Sequence, residues 1–161
     1  MFRKLIRTAE DPTLALQRVV LGIVFFAHGA QKVLGWFGGA GYAATMYQFT
    51  HNMGIPPAFA VLAILAEFLG GIGLIVGLLS RVAAFGITVN MLVAVFMVHL
   101  GNGFFMNWMG TQHGEGFEYH LLAIAIAANI MVRGAGAFSL DHALQHATPV
   151  HPHPYPLPSG D

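Results

Sequence analysis

The sequence predicts an all-α integral membrane protein: a four-helix bundle with both termini cytoplasmic (N-in/C-in) and an interfacial helix in the first external loop. Three observations carry that expectation: an unusually apolar composition, four long apolar stretches, and a lopsided placement of Lys and Arg. Of 161 residues, 56% are hydrophobic and only 9% charged, and the mean hydropathy is +0.66. Soluble domains carry roughly a quarter of their residues as charges, and a chain this short buries too little surface to hide the excess. Zero formal charge and a pI near 7.1 give no electrostatic reason to expect a nucleic-acid partner. The lack of cysteine excludes disulfides, thiolate metal ligands and thiol relays within the chain.

A helix needs about 20 apolar residues to cross a hydrocarbon core. Residues 14–35, 57–79 and 82–101 meet that length, while 119–132 is shorter and needs Glu118 and Arg133 at the two interfaces. Arg3, Lys4 and Arg7 precede the first stretch, whose apolar run continues to Leu34 and so predicts a retained signal-anchor helix. Pro56 and Pro57 suit the start of the second. Only Ser80 and Arg81 separate it from the third, which predicts a tight antiparallel hairpin.

Two longer connections fall on one side. In residues 36–56, Tyr42, Met46, Phe49 and Met53 recur at helical spacing, as in a helix lying flat among headgroups. Residues 102–117 carry Phe104, Phe105 and Trp108, which suit an aromatic belt. Arg3, Lys4, Arg7, Arg18, Arg81 and Arg133 gather at the opposite end, which the positive-inside rule places in the cytoplasm. Past Asp141 the chain turns His- and Pro-rich. The expected organisation is a transmembrane domain over residues 1–142 and a disordered cytoplasmic tail over 143–161.

Ionisable groups in hydrocarbon are costly, so each is a functional hypothesis. His28 and Lys32 lie one turn apart on the outer half of the first helix. Glu67 lies roughly 15 Å from the outer end of the second, by helix rise. Lys32 or a histidine would keep it charged, and the plain alternative is that the two charges only brace the bundle. His99, Glu118 and His120 lie near the outer interface, where a histidine is cheap. Asn90 and Asn129 read as interhelical hydrogen-bond glue, and Gly73 and Gly77 as a small-xxx-small packing pair. Asn90 and His99, nine residues apart, should point about 180° apart and not share a cavity. Haem would need two histidines at matched depth, and the unequal depths of His28 and His99 count against it. Histidines 142, 146, 151 and 153 read as an incidental weak metal binder, so no metal site is assigned.

Five motifs then fall in order along the helices: His28-Gly29-x-Gln31-Lys32-x-x-Gly35; Glu67 through Leu74 (EFLGGIGL); Gly77-Leu78-Leu79-Ser80-Arg81; Gly116-Phe117-Glu118-Tyr119; and Gly134 through Asp141 (GAGAFSLD). Together they resemble the DoxX family over roughly residues 12–142. The resemblance implies a small four-helix, multi-pass protein of the bacterial inner (plasma) membrane. Related DoxD proteins are implicated as the membrane subunit of a thiosulfate:quinone oxidoreductase, and other members are associated with oxidative-stress and thiol-redox complexes. The function expected is therefore a quinone-interacting or accessory subunit of a membrane oxidoreductase. The rival is a small-solute transporter or a non-catalytic membrane interaction module. On the leading reading His28, Lys32 and Glu67 are the catalytic group, while Gln31, His99, Glu118 and His120 contact the cofactor. No intrinsic cofactor motif is present, so quinone is the expected cofactor and electrons must come from a partner. Expected partners are membrane lipid, a redox partner subunit and a second copy of the chain.

Overall fold

A computed structural model of the chain describes residues 2–147, and within them the fold is all-helical. The elements are α1 (Phe2–Ile6), α2 (Pro12–Leu34), α3 (Gly41–Tyr47), α4 (Pro57–Val76), α5 (Ser80–Ala94), α6 (Glu118–Arg133) and α7 (Leu140–Ala147). α3 runs into a π turn, Gln48–Asn52, and α5 into a π turn, Val95–His99, then a 3-10 turn, Leu100–Asn102. Three helices are long and apolar enough to cross a membrane: Pro12–Leu34, Pro57–Val76 and the continuous Ser80–Asn102. α6, at 16 residues, is shorter.

Local chemistry sets the ends. Asp11 caps α2, its carboxylate accepting from the Thr13 and Leu14 amides at 2.9 and 3.2 Å, with Pro12 as the first helical residue. Those bonds, led by one from the Thr13 hydroxyl, hold the Asp11 carboxyl below its ordinary value. Gly35 and Gly77, both with left-handed backbone, close α2 and α4. The expected hairpin is present: α5 restarts at Ser80, after Leu79 with φ of 50°. No local side chain caps α5. Asp141 does so from α7, accepting from the Leu79 and Ser80 amides at 2.7 and 2.9 Å.

α2 packs on α4, α4 on α5, α5 on α6, and α6 returns to α2. Leu14, Leu21, Phe25, Leu74, Ile87, Met91 and Ile130 fill the shared core. The α2–α4 seam is almost backbone to backbone. A methyl on Gly22 would lie 2.8 Å from the Ile75 nitrogen, and one on Gly29 or Gly71 would collide with the backbone of Phe68 or Phe26. The expected Gly73/Gly77 pair does not make this seam. Gly73 faces the Leu78 carbonyl, and Gly77 is the αL cap of α4, beneath Ser139 and Arg18.

α1, α7 and the helix ends Pro12, Val76, Ser80 and Arg133 gather at one end, called here the terminal end. The 36–56 and 103–117 segments cover the other, the loop end. The tail begins later than expected: residues 143–147 are helical, and Gln145 accepts from the Thr8 amide at 2.8 Å. The rest of that expected tail, 148–161, lies outside the described residues.

Candidate functional site

A cavity of about 1190 Å³, to which all four long helices contribute, opens from the loop end along α4 and α5. Its polar floor is a three-residue network. Lys32 Nζ on α2 meets Glu67 Oε2 on α4 at 2.5 Å, and Asn90 Nδ2 on α5 donates to Glu67 Oε1 at 2.7 Å. Glu67 is buried, and Lys32 is partly open. Both carboxylate oxygens are therefore satisfied by protein, which is what keeps a buried charge tolerable. The Lys32–Glu67 pair and the interhelical role of Asn90 stand as expected. So does Asn129, whose Nδ2 donates to Gln17 Oε1 at 2.7 Å.

The start of α6 is less satisfied. Tyr119 and His120, at the start of α6, line the cavity, and the Tyr119 hydroxyl and His120 Nδ1 are buried without a hydrogen-bond partner among the described residues. The His120 ring faces His99 with centroids 4.1 Å apart, and the Tyr119 ring lies 6.5 Å from His28. His99 Nδ1 sits 2.8 Å from the Glu115 carbonyl, so that nitrogen carries the proton and donates it. Its Nε2 remains an acceptor in the neutral ring.

His99 and Asn90 line the same cavity, against the expectation that they face apart. The reason is the π turn at Val95–His99. An i→i+5 turn consumes one residue more than an α turn, so everything beyond it slips by about 100°. That slip turns His99 from the far face of α5 toward α6.

Two other expected cofactor contacts lie elsewhere. Gln31 Nε2 donates to the Phe37 carbonyl at 3.3 Å, tying α2 to the first loop. Glu118 accepts from the Met106 amide at 2.9 Å and the Trp108 indole at 3.3 Å, organising the second loop. Neither lines the cavity. His28, Lys32, Glu67, His99 and His120 all do. Tyr119 is not among the expected site residues, although a phenol adjoining two candidates at a helix start was the available signal. Among the described residues no group of three or more His, Asp or Glu side chains is placed to hold a metal ion.

The cavity does not stop at the bundle interior. Phe59, Leu62, Leu65 and Leu69 of α4 line it, as do Phe85, Val89 and Val93 of α5, and all seven are exposed on the outer surface. The opening therefore lies sideways, between α4 and α5, where a membrane would supply lipid.

The DoxX family model matches residues 13–100, which hold α2 to α5 and most of this cavity. The chain belongs to the DoxX family. It is 29% identical over 135 residues to the "Inner membrane protein YqjF" of Escherichia coli (strain K12), covering 84% of this chain and 94% of that one. It is 30% identical to the "Putative oxidoreductase CatD" of Bacillus subtilis (strain 168), covering 84% and 88%. An "Uncharacterized protein" of Haemophilus influenzae (strain ATCC 51907 / DSM 11121 / KW20 / Rd) is 33% identical over 80% of this chain and 88% of its own. No solved structure matches the chain significantly. Family membership and the apolar helices make this a membrane protein.

Proposed function

We propose that the protein is a quinone-interacting subunit of a membrane oxidoreductase, spanning the bacterial inner membrane four times with both termini cytoplasmic. The single observation that supports this most is the shape of the cavity: a charged, hydrogen-bonding floor at the end of an apolar slot that opens sideways between α4 and α5. A quinone has that same division, a head with two carbonyl acceptors and a long apolar tail. Pockets for such ligands are mostly apolar with a few placed polar groups. Lys32 is a partly open donor, Tyr119 lines the same cavity, and His99 and His120 are groups able to pass protons. The name of the B. subtilis relative is compatible with a redox role. The sequence carries no electron-carrying cofactor motif, so electrons would come from a partner subunit.

The test is what travels with the protein. Purified in mild detergent, it should carry quinone detectable by mass spectrometry. A short-chain quinone should also bind the wild type and bind weakly to Lys32→Met. A polar solute in place of quinone, or binding indifferent to Lys32, would sink the reading in favour of a transporter.

A further inference from the structure

The terminal end holds a second cavity, of about 560 Å³, lined by Arg7, Arg81 and Arg133 together with Thr8, Val132 and Gln145. Arg81 belongs to a family-like motif that the loop-end cavity does not use. It is rigidly held: Nε and Nη2 donate to the Arg7 carbonyl at 3.2 and 3.0 Å, and Nη1 donates to the Met131 carbonyl. Arg133 Nη2 meets Asp11 Oδ2 at 2.7 Å. The Arg7 guanidinium has no partner among the described residues. Three guanidinium groups and one touching carboxylate leave the cavity strongly positive.

Position gives that charge its meaning. The cavity lies between the segment leading into α2, the start of α5 and the end of α6. Whichever way the protein faces, helices that cross a bilayer put such a place at headgroup depth. Val132 on its rim is 75% exposed, an apolar side chain beside three cations. A soluble anion has no use for that neighbour, whereas the glycerol and upper acyl chain of a lipid do. Guanidinium groups bind phosphate oxygens with paired, charge-assisted bonds. Basic pockets between helices at a membrane face are suited to anionic headgroups. We propose that this cavity holds the phosphodiester of an anionic phospholipid, with Arg7 and Arg133 as the phosphate donors and Arg81 as the fixed base of the site.

The test uses the full chain in detergent micelles, read by native mass spectrometry with phosphatidylglycerol, phosphatidylcholine and inorganic phosphate as probes. Phosphatidylglycerol should be retained in preference to phosphatidylcholine. A basic residue near a membrane surface is worth on the order of a fivefold change in binding. Arg7→Gln should therefore weaken phosphatidylglycerol retention about fivefold. Lys4→Gln, which removes the same charge from an exposed position outside the cavity, should leave it nearly unchanged. Gln145→Glu keeps the acceptor for the Thr8 amide while adding a negative charge, so it should expel the lipid without unfolding the protein. Equal retention of both lipids would overturn the proposal, as would equal losses for Arg7→Gln and Lys4→Gln. Inorganic phosphate bound as tightly as phosphatidylglycerol would do so too, because it would make the site one for a soluble anion.

Discussion

At the terminal end, Arg18 is 1% exposed and gives its donors to backbone carbonyls: Ala135 at 2.8 Å, Ile75 at 2.8 Å, Phe138 at 3.0 Å, and Leu74. Asp141, equally buried, spends both oxygens on the amides that open α5. At the loop end, Glu67 is saturated, but the Tyr119 hydroxyl and His120 Nδ1 are buried and have no hydrogen-bond partner among the described residues. Nearly every buried polar side chain at the first end has its partner built in, with Ser80 Oγ the exception. Buried polar atoms ordinarily find partners, and the Tyr119 hydroxyl and His120 Nδ1 are the loop end's exceptions among the described residues. One end is finished as structure; the other leaves polar groups that the proposed ligand would complete.

The largest effect should come from the finished end. Arg18→Met removes the donors from four carbonyls and takes from the buried Asp141 the cation that interacts with it. Breaking such a buried arrangement costs about 3–5 kcal/mol. Thermal unfolding in detergent should show a large drop or no folded protein. A small change would mean that the carbonyls find water instead, and the contrast between the ends would weaken.

Next comes the Lys32–Glu67 pair. Glu67→Gln strands the ammonium and Lys32→Met strands the carboxylate, so each single change should destabilise. The double change leaves nothing stranded and should recover much of the loss, with a coupling of about 0.5–3 kcal/mol. Quinone binding should not recover with it. If binding and stability return together, the pair is a brace and not part of a site. Additive effects in both readouts would mean that the two groups do not interact.

How much of this was legible in the sequence depends on what each residue answers to. Lys32 could be offered in advance as a partner for Glu67, with a histidine as the alternative, because opposite charges in the same half of the hydrocarbon have few other solutions. The helix ends were legible to within a few residues, from apolar length, Pro57 and the short Ser80–Arg81 connection. Arg18 was not. It read as one more positive charge flanking the first helix, because its acceptors are carbonyls 56 to 120 residues away in sequence. His99 was misplaced for a different reason: a π turn changes helical phase without any signature in residue type. The glycine seam was misjudged because α4 carries three glycines close together and a fourth as its cap, and only tertiary contact selects Gly71 over Gly73.

A smaller effect separates charge from geometry at the terminal end. The Asp11 carboxyl is held below its ordinary value of 3.8, first by the Thr13 hydroxyl. A depressed folded value contributes stability that is complete above 3.8 and disappears as pH falls through the lowered value. Asp11→Asn keeps a capping side chain but loses the charge and the contact with Arg133. The gap in thermal midpoint between wild type and Asp11→Asn should be present at neutral pH and close in acid. A gap that persists unchanged at low pH would show that the amide fails as a cap, not that the charge matters.

The smallest effect on stability belongs to Tyr119, and it sharpens the comparison most. Its hydroxyl makes no bond to protein among the described residues, so Tyr119→Phe removes a buried polar group that was not being satisfied. Deleting such a group costs little and can stabilise, whereas deleting a bonded one exposes its partner's desolvation. The thermal midpoint of the ligand-free protein should therefore move by no more than about 0.5 kcal/mol equivalent, in either direction. Quinone affinity should fall by about 0.5–1.5 kcal/mol, the worth of one hydrogen bond to a ligand carbonyl. That separation is what the terminal end should never show, since no change at Arg18 can spare stability. Loss of stability without loss of binding would place the hydroxyl in a protein or water contact, and the loop end would then be as finished as the other.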